Sequence, residues 1–449
     1  MDRLGAKPPS KKRVSKDFAA DALYRAIRSD FKRIPEHARG KAEASLVDAL
    51  MTGFAVFDLK DSSLLSFDKR RKTEHNLSTV YGITKVLCDS QLRTRLDDVD
   101  SEFLRAPFRT LVTNLETAGL LEPFKFMGDH YLLAGDGTGV FSSDSIHSEA
   151  CLVKKNKKTG KKTYYQQMFQ IAFIRPGVKE VLALAPEMII QQDGTTKNDC
   201  ERNAAKRSLK KLREDFPHMK IIITEDAISP NAPHLRDLKK YDIRFILGVK
   251  PGDHEFLFEY IEAARREGLT RAFEITDPEN PEVTHKFLYL NDVPINKSNL
   301  DMEVNFLEYW EIGPKETKHF SWVTDIRITK KNAYEIMKGG RARWKIENET
   351  FNTLKNQDYH LEHNFGLGQK HLSAVFATLM MLAFLADQIK QLAWPMFRAA
   401  WKKYGTKKAL WEAMREVFKC FRVHSATMLY EALVYGFKFQ EPDILYDTS

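Results

Sequence analysis

Along roughly the first 125 positions, apolar residues recur at helical spacing, as in DALYRAIRSDF (21–31) and EASLVDALMTGFAVF (43–57), with Pro and Gly punctuation between them. From Tyr131 the spacing changes to that of strands: YLLAGDGTGVFSS, YYQQMFQIAFI and VKEVLALAPEMII, separated by turn-like or lysine-rich segments. The charged amphipathic stretch DCERNAAKRSLKKLREDFP predicts a helix, and MKIIITED a short apolar strand of the kind buried at a sheet centre. HLRDLKKYD reads as a further helix and RFILGVK as a further strand. Three consecutive strands followed by alternating helix and strand predict an α/β fold with a mixed sheet.

Between about Glu255 and Ile328 the α/β series is interrupted by a helix, HEFLFEYIEAARREG, and by the alternating segments THKFLYL, MEVNFLEYWEI and HFSWVTDIRI, which predict a separate β-rich insertion. Helical character returns at NAYEIMKGGRARWKIENETFNTLKNQ and persists through HLSAVFATLMMLAFLADQIKQL and KKALWEAMREVFKCF. The expected organisation is a helical basic region over 1–125, a core in two parts (126–254 and 329–370) around the insertion at 255–328, and a C-terminal helical region over 371–449.

Composition narrows the class. The 449 residues predict about three domains at roughly 150 residues each. A hydrophobic share of 43% and an aromatic share of 11% exclude a disordered or fibrous chain. Cys88, Cys151, Cys200 and Cys420 are far apart and form no C-x-x-C pair, so neither a disulfide framework nor a zinc site is indicated, and a reducing, cytoplasmic setting is expected. The N-terminus, MDRLGAKPPSKKRVSKDF, is basic and lacks the apolar core of a secretory signal. The apolar stretch Val375 to Ala386 is shorter than the roughly 20 residues a bilayer crossing needs and reads as a buried helix. Net charge is +9, from many charges of both signs, a balance that suits a nucleic-acid-handling enzyme. Basic residues gather at Lys11, Lys12, Arg13, Lys16, Arg25, Arg28, Lys32 and Arg33 and again at Lys69, Arg70, Arg71 and Lys72, either for phosphate contact or as solvated helix faces.

Three acids carry candidate chemistry. Asp136, in LLAGDGTGVFSS, lies where an apolar strand meets small residues that allow a substrate backbone to approach, although an Asp-Gly pair also marks a hairpin turn. Asp226 directly follows KIIITE, at the carboxyl end of a sheet strand, where α/β sites form; a helix N-cap is the other reading, for which Ser229 and Asn231 also qualify. In RARWKIENETFNTLKNQ, Arg343, Glu347, Phe351 and Lys355 recur every four residues along one helix face, which also suits a solvated salt-bridge face. Brought together, the three acids offer oxygen ligands to two Mg²⁺ ions, for which Mn²⁺ can substitute, and such a pair stabilises both the attacking and the leaving oxygen of a phosphodiester displacement.

The segments AGDGTG, KNDCERNAAKRSL, IIITEDAISPNAPHL, RWKIENETFNTLK and YHLEHNFGLGQKHL together resemble bacterial insertion-sequence transposases of the DDE class, over roughly Tyr131 to Gln391. The resemblance implies a ribonuclease-H-like mixed-sheet core interrupted by a β-rich insertion, with helical N- and C-terminal regions. It also implies Asp136, Asp226 and Glu347 as the metal-binding catalytic acids and Arg343 as the holder of a DNA-end phosphate. Two positions depart from the family signature: Gly340 stands where the signature has a tyrosine, and seven residues rather than six separate Glu347 from Lys355, which leaves Glu349 as a rival third acid. The implied partners are double-stranded DNA, as element ends and as target, and a second copy of the chain through the C-terminal helices. The implied setting is the bacterial cytoplasm, at the nucleoid when bound to DNA.

Supporting features have plainer alternatives beside them. Lys154, Lys155, Lys157, Lys158, Lys161 and Lys162 fall at a hairpin tip that could run along DNA or simply face water. Trp310 and Trp322 of the insertion could stack on an unpaired base, with core packing as the plainer role. Glu201 is expected to share a helix side with Lys197 and Ala205 in a structural ion pair, and His360 and His363 around Glu362 have poor geometry for a metal. Two rivals to a transposase are a ribonuclease-H-like nuclease without strand transfer and a DNA-binding relative without chemistry.

Overall fold

A computed structural model describes residues 16–36, 44–71, 75–191, 199–227 and 229–436. Lys11, Lys12, Arg13, Lys72 and Lys197 lie outside the described residues. The strands are β1 (Lys125–Phe126), β2 (His130–Ser143), β3 (Leu152–Lys155), β4 (Lys162–Phe173), β5 (Leu182–Ala183), β6 (Glu187–Ile189), β7 (Ile221–Glu225), β8 (Ile243–Gly248), β9 (Arg271–Thr276), β10 (Thr284–Asn296), β11 (Asn299–Ile312) and β12 (Thr317–Thr324). They form one mixed sheet in the order β3-β4-β2-β7-β8-β12-β11-β10-β9. β2 runs antiparallel to β4 and parallel to β7, and β7 runs parallel to β8.

β7 shows why the apolar run IIITE forms a central strand. All five of its residues are buried, with β2 on one edge and β8 on the other. The stretch VKEVLALAPEMII, which the alternation predicts as one strand, is instead two short strands, β5 and β6, both paired with β4. Pro186 lies between them, and its ring nitrogen has no proton to give to a ladder. Residues 255–328 contribute a helix and β9 to β12, and they hydrogen-bond into the core: Trp322, Val323 and Thr324 of β12 pair with Gly248, Leu247 and Ile246 of β8.

The N-terminal helices are α1 (Ala20–Phe31), α2 (Leu46–Asp58), α3 (Leu64–Arg71), α4 (Asn76–Tyr81), α5 (Asp89–Asp97) and α6 (Arg105–Thr117). In α1, Ala20, Leu23, Tyr24, Ile27 and Phe31 are buried, the stripe that 3.6-residue periodicity dictates. The core helices are α7 (Glu201–Asp215), α8 (Ala232–Lys240), α9 (Glu255–Arg266), α10 (Ala333–Arg341) and α11 (Asn352–Asn356). The C-terminal helices are α12 (Leu372–Ala393), α13 (Pro395–Tyr404), α14 (Lys407–Cys420) and α15 (Ala426–Tyr435). By length and composition, α12 would suffice to cross a bilayer, but 94% of its apolar window is buried inside the protein, which is the place of a core helix.

The two helical ends of the chain pack on each other. Beneath α2 and α12, the Lys60 ammonium lies 2.7 Å from Asp387, and Lys390 reaches both Asp387 (2.7 Å) and Asp58 (3.2 Å), all with almost no exposure. Tyr24 and Tyr81 donate to Asp58 and Tyr359 donates to Asp387. Asn76 donates to the carbonyls of Phe418 and Phe421, and Asp21 accepts the first backbone N–H groups of α15. Buried charges persist only when so fully paired, because an uncompensated charge there costs several kcal/mol.

Candidate functional site

Asp136 stands on β2 opposite Gln170 of β4. Two residues earlier, Ala134 pairs with Thr224 of β7, and two residues after Thr224 the chain leaves that strand at Asp226. The twofold alternation of strands therefore assigns both aspartates to one face, just past the end of the parallel β2–β7 ladder; Asp136 lies midway along β2, which continues to Ser143, and not at its end. Asp226 does not cap α8; Asn231 does, its side chain accepting the His234 N–H at 3.1 Å.

The helix predicted across residues 332–357 is broken into three. α10 ends at Arg341, a π-helix spans Ile346–Phe351, and α11 follows. Arg343 lies in the turn between α10 and the π-helix, with Nη1 2.8 Å from Asp136 Oδ2 and 2.7 Å from Glu347 Oε1. One guanidinium thus joins two of the three expected acids. Glu349 looks elsewhere: its charge acts on Lys407, at the start of α14. Gly340 is explained by packing, since a Cβ there would lie 2.3 Å from Trp322 Nε1, so the Trp322 indole fills the space that a side chain at 340 would need.

Electrostatics single out Asp136. Burial pushes its carboxyl up to about 7; Arg343 opposes this, Glu347 and Glu201 add to it, and the Gly137 N–H, donating at 2.8 Å, relieves it in part. Glu201, expected in a structural ion pair, opens α7 with its carboxyl against Gly137. Burial raises its pKa, the charges of Asp226 and Glu225 raise it further, and Arg343 opposes them. Sequence reasoning named this residue only as a member of a structural ion pair; the available signal for its place beside Gly137 was an acid in the first turn of the helix that follows the third strand. Glu225 is buried and pairs with His234 at 2.7 Å. Burial works against the His234 cation, and the Glu225 carboxylate overrides it, holding that imidazole above its usual pKa.

Beside Arg343 a cleft opens, lined by Asp226, Lys250, His319, Trp322, Arg341 and Trp344. Arg341 lies over the Phe320 ring, and Trp344 is 53% exposed. Trp322 is buried and stacked on Phe320, and Trp310 is stacked on His319, so both tryptophans serve packing here. Lys355 pairs with Glu362 at 2.8 Å. At the β3–β4 hairpin, Lys154, Lys155, Lys157 and Lys158 are all exposed, while Lys161 pairs with Asp144. Of the early basic residues, Arg28, Arg33, Arg70 and Arg71 are engaged by aspartates, and Arg25, Lys32 and Lys69 are exposed.

The donor set suits a hard cation in kind, since carboxylate oxygens are what such ions take. Among the described residues, however, no three His, Cys, Asp or Glu side chains converge closely enough to hold a metal ion. Asp136 and Glu347 meet through Arg343, and Asp226 lies in the adjoining cleft.

No protein-family model matches the chain, and no curated protein does. Among solved structures, a piggyBac transposase synaptic complex with hairpin DNA is similar at 12% identity and a TM-score of 0.38, covering 95% of this chain and 80% of that one. So distant a likeness carries no weight beside the geometry above.

Proposed function

We propose that the chain is a metal-dependent DNA transposase of the DDE class, which binds the terminal inverted repeats of a mobile element, cuts them, and joins the 3′-hydroxyl strands to target DNA. The observation that carries this reading is the meeting of residues 207 positions apart: Arg343 holds Asp136 and Glu347 together, beside the strand end that bears Asp226. The antiparallel β2–β4 pair continued by parallel β7 and β8 supports a ribonuclease-H-like core.

Asp136, Asp226 and Glu347 are the residues that would hold Mg²⁺, with Mn²⁺ as a substitute. When bound, a pair of such ions supplies Lewis-acid stabilisation of the attacking and leaving oxygens. Arg343 already matches two carboxylates, and the same planar donor fork suits a DNA-end phosphate. Lys154, Lys155, Lys157 and Lys158 offer an exposed cationic tip to the duplex, Lys355 adds charge beyond Glu347, and Arg25, Lys32 and Lys69 supply cations on the N-terminal helices. The working form would be a homodimer on DNA in the bacterial cytoplasm.

The test uses the full chain, Mg²⁺ and DNA bearing the inverted repeats that bracket its gene. Cut ends and joined products are expected, with both lost in Asp136→Asn, Asp226→Asn and Glu347→Gln while end binding persists. Cutting without joining would favour a nuclease. Binding with neither product, unchanged by Asp136→Asn, would favour a DNA-binding relative.

A further inference from the structure

We infer that the cavity between α1, α4 and α15 is a binding site for a phosphate group, held by Lys16, Arg25 and Arg28. The cavity measures about 570 Å³, within the range that small-ligand sites occupy. It shares no lining residue with the acidic cleft, so it does not rest on the metal-dependent reading. α1 supplies Arg25 and Arg28, with Lys16 just before it, while the end of α4 forms one wall and the start of α15 another. The two helical ends of the chain therefore meet across it, and whatever binds there touches both.

The first observation is a guanidinium fixed in place with a donor to spare. Arg28 reaches Asp48 through Nη2 at 3.1 Å and lies over Gly82, where an added Cβ would stand 3.5 Å from its Cδ and Nε. Its Nη1 is buried and has no hydrogen-bond partner. Buried polar groups are normally satisfied, so this nitrogen calls for an acceptor. The second observation is charge balance. Asp21 also faces the cavity, but its oxygens are taken by the N–H groups of Ala426 and Thr427 and by the Thr427 hydroxyl. Asp48 accepts from Arg28 and from the Lys85 N–H. Lys16 and Arg25 are exposed, and among the described residues neither has an acidic partner. One of three cations is thus spent on Asp48, and a positive surplus faces the cavity. Arg25 and Arg28 stand three residues apart on α1, which makes them neighbours on one helix face. Two guanidinium forks and an ammonium suit a tetrahedral oxyanion of charge about −2, the form of a phosphate group at neutral pH.

A free nucleotide and a DNA backbone carry the same group, and the experiment separates them. The full chain, in chelator, is unfolded by heat in sodium phosphate and in sodium chloride of equal ionic strength, as wild type, Lys16→Gln, Arg25→Gln, Arg28→Gln and, as a control on the remote hairpin, Lys155→Gln. Phosphate should raise the wild-type midpoint, because a ligand bound only by the folded chain stabilises it. Its apparent affinity should fall at least about tenfold in Arg25→Gln and in Arg28→Gln, fall less in Lys16→Gln, and stay unchanged in Lys155→Gln. Arg28→Gln also leaves Asp48 without its cation, so the exposed Arg25 decides the matter if that variant does not fold. Adenosine monophosphate acting at lower concentration than phosphate identifies a nucleotide site, a short duplex doing so where the mononucleotide does not identifies the DNA backbone, and neither doing so leaves inorganic phosphate as the ligand. Equal wild-type midpoints in phosphate and chloride, an Arg25→Gln chain that responds like wild type, or a loss in Lys155→Gln as large as in Arg25→Gln would overturn the site.

Discussion

Replacing Asp136 by asparagine should make the chain harder to unfold at pH 8, even as it removes the chemistry. The carboxyl is moved from an ordinary 3.8 to about 7, chiefly by burial. At about 1.4 kcal/mol for each tenfold change in proton affinity, the ionised form is disfavoured in the folded chain by about 4 kcal/mol. The sign follows from proton counts. Above about pH 4 the unfolded chain has released this proton, whereas the folded chain keeps it until about pH 7. Between those values the folded state holds more protons, so stability falls as pH rises and levels off above 7. Asparagine has nearly the same size and no charge, and Glu347 still holds Arg343 at 2.7 Å. The expected gain at pH 8 is therefore about 2–4 kcal/mol. Urea unfolding followed by tryptophan fluorescence, in chelator, should show the two chains nearly equal at pH 4 and diverging up to pH 7. If the proposed function holds, added Mg²⁺ should then raise the wild-type midpoint at pH 8 and leave the variant unmoved, because only the former would bind the ion tightly. A gap that does not change with pH, or a variant less stable at pH 8, would refute the argument that burial of this carboxyl opposes folding.

Three further outcomes are expected. Glu347→Gln should slow single-turnover end cleavage at least about a hundredfold and Glu349→Gln less than about threefold, because only Glu347 shares Arg343 with Asp136; the reverse order would transfer the role to Glu349. Lys60→Met should cost about 3–5 kcal/mol in the unfolding of the helical body, since it removes one of two buried cations facing Asp387; an unmoved thermal midpoint would mean the network contributes nothing. Changing Lys154, Lys155, Lys157 and Lys158 together to glutamine should reduce the slope of log affinity against log salt by up to about 3.6 for duplex DNA, and an unchanged slope would remove the hairpin tip from the interface.

What was legible in the sequence is what one segment decides for itself. The stripe of α1, the apolar run of β7 and the Asn231 cap of α8 follow from spacing and side-chain chemistry within a few residues, and all are present. The nearness of Asp136 and Glu347 was anticipated only through resemblance to a family, and the contact of Arg343 with Asp136 was not anticipated at all, because spacing carries no information on which distant segments meet. Tertiary structure alone decided the rest. It split VKEVLALAPEMII around Pro186, turned the helix bearing Glu347 into a π-turn against the sheet, and joined the N- and C-terminal helices through Lys60, Asp387 and Lys390. It also set the Glu201 carboxyl against Gly137, a placement that the local reading of a structural ion pair did not contain. Periodicity reports how exposed a segment will be, whereas the partner of a buried charge is settled by whichever packing leaves the fewest charges unbalanced across the whole chain.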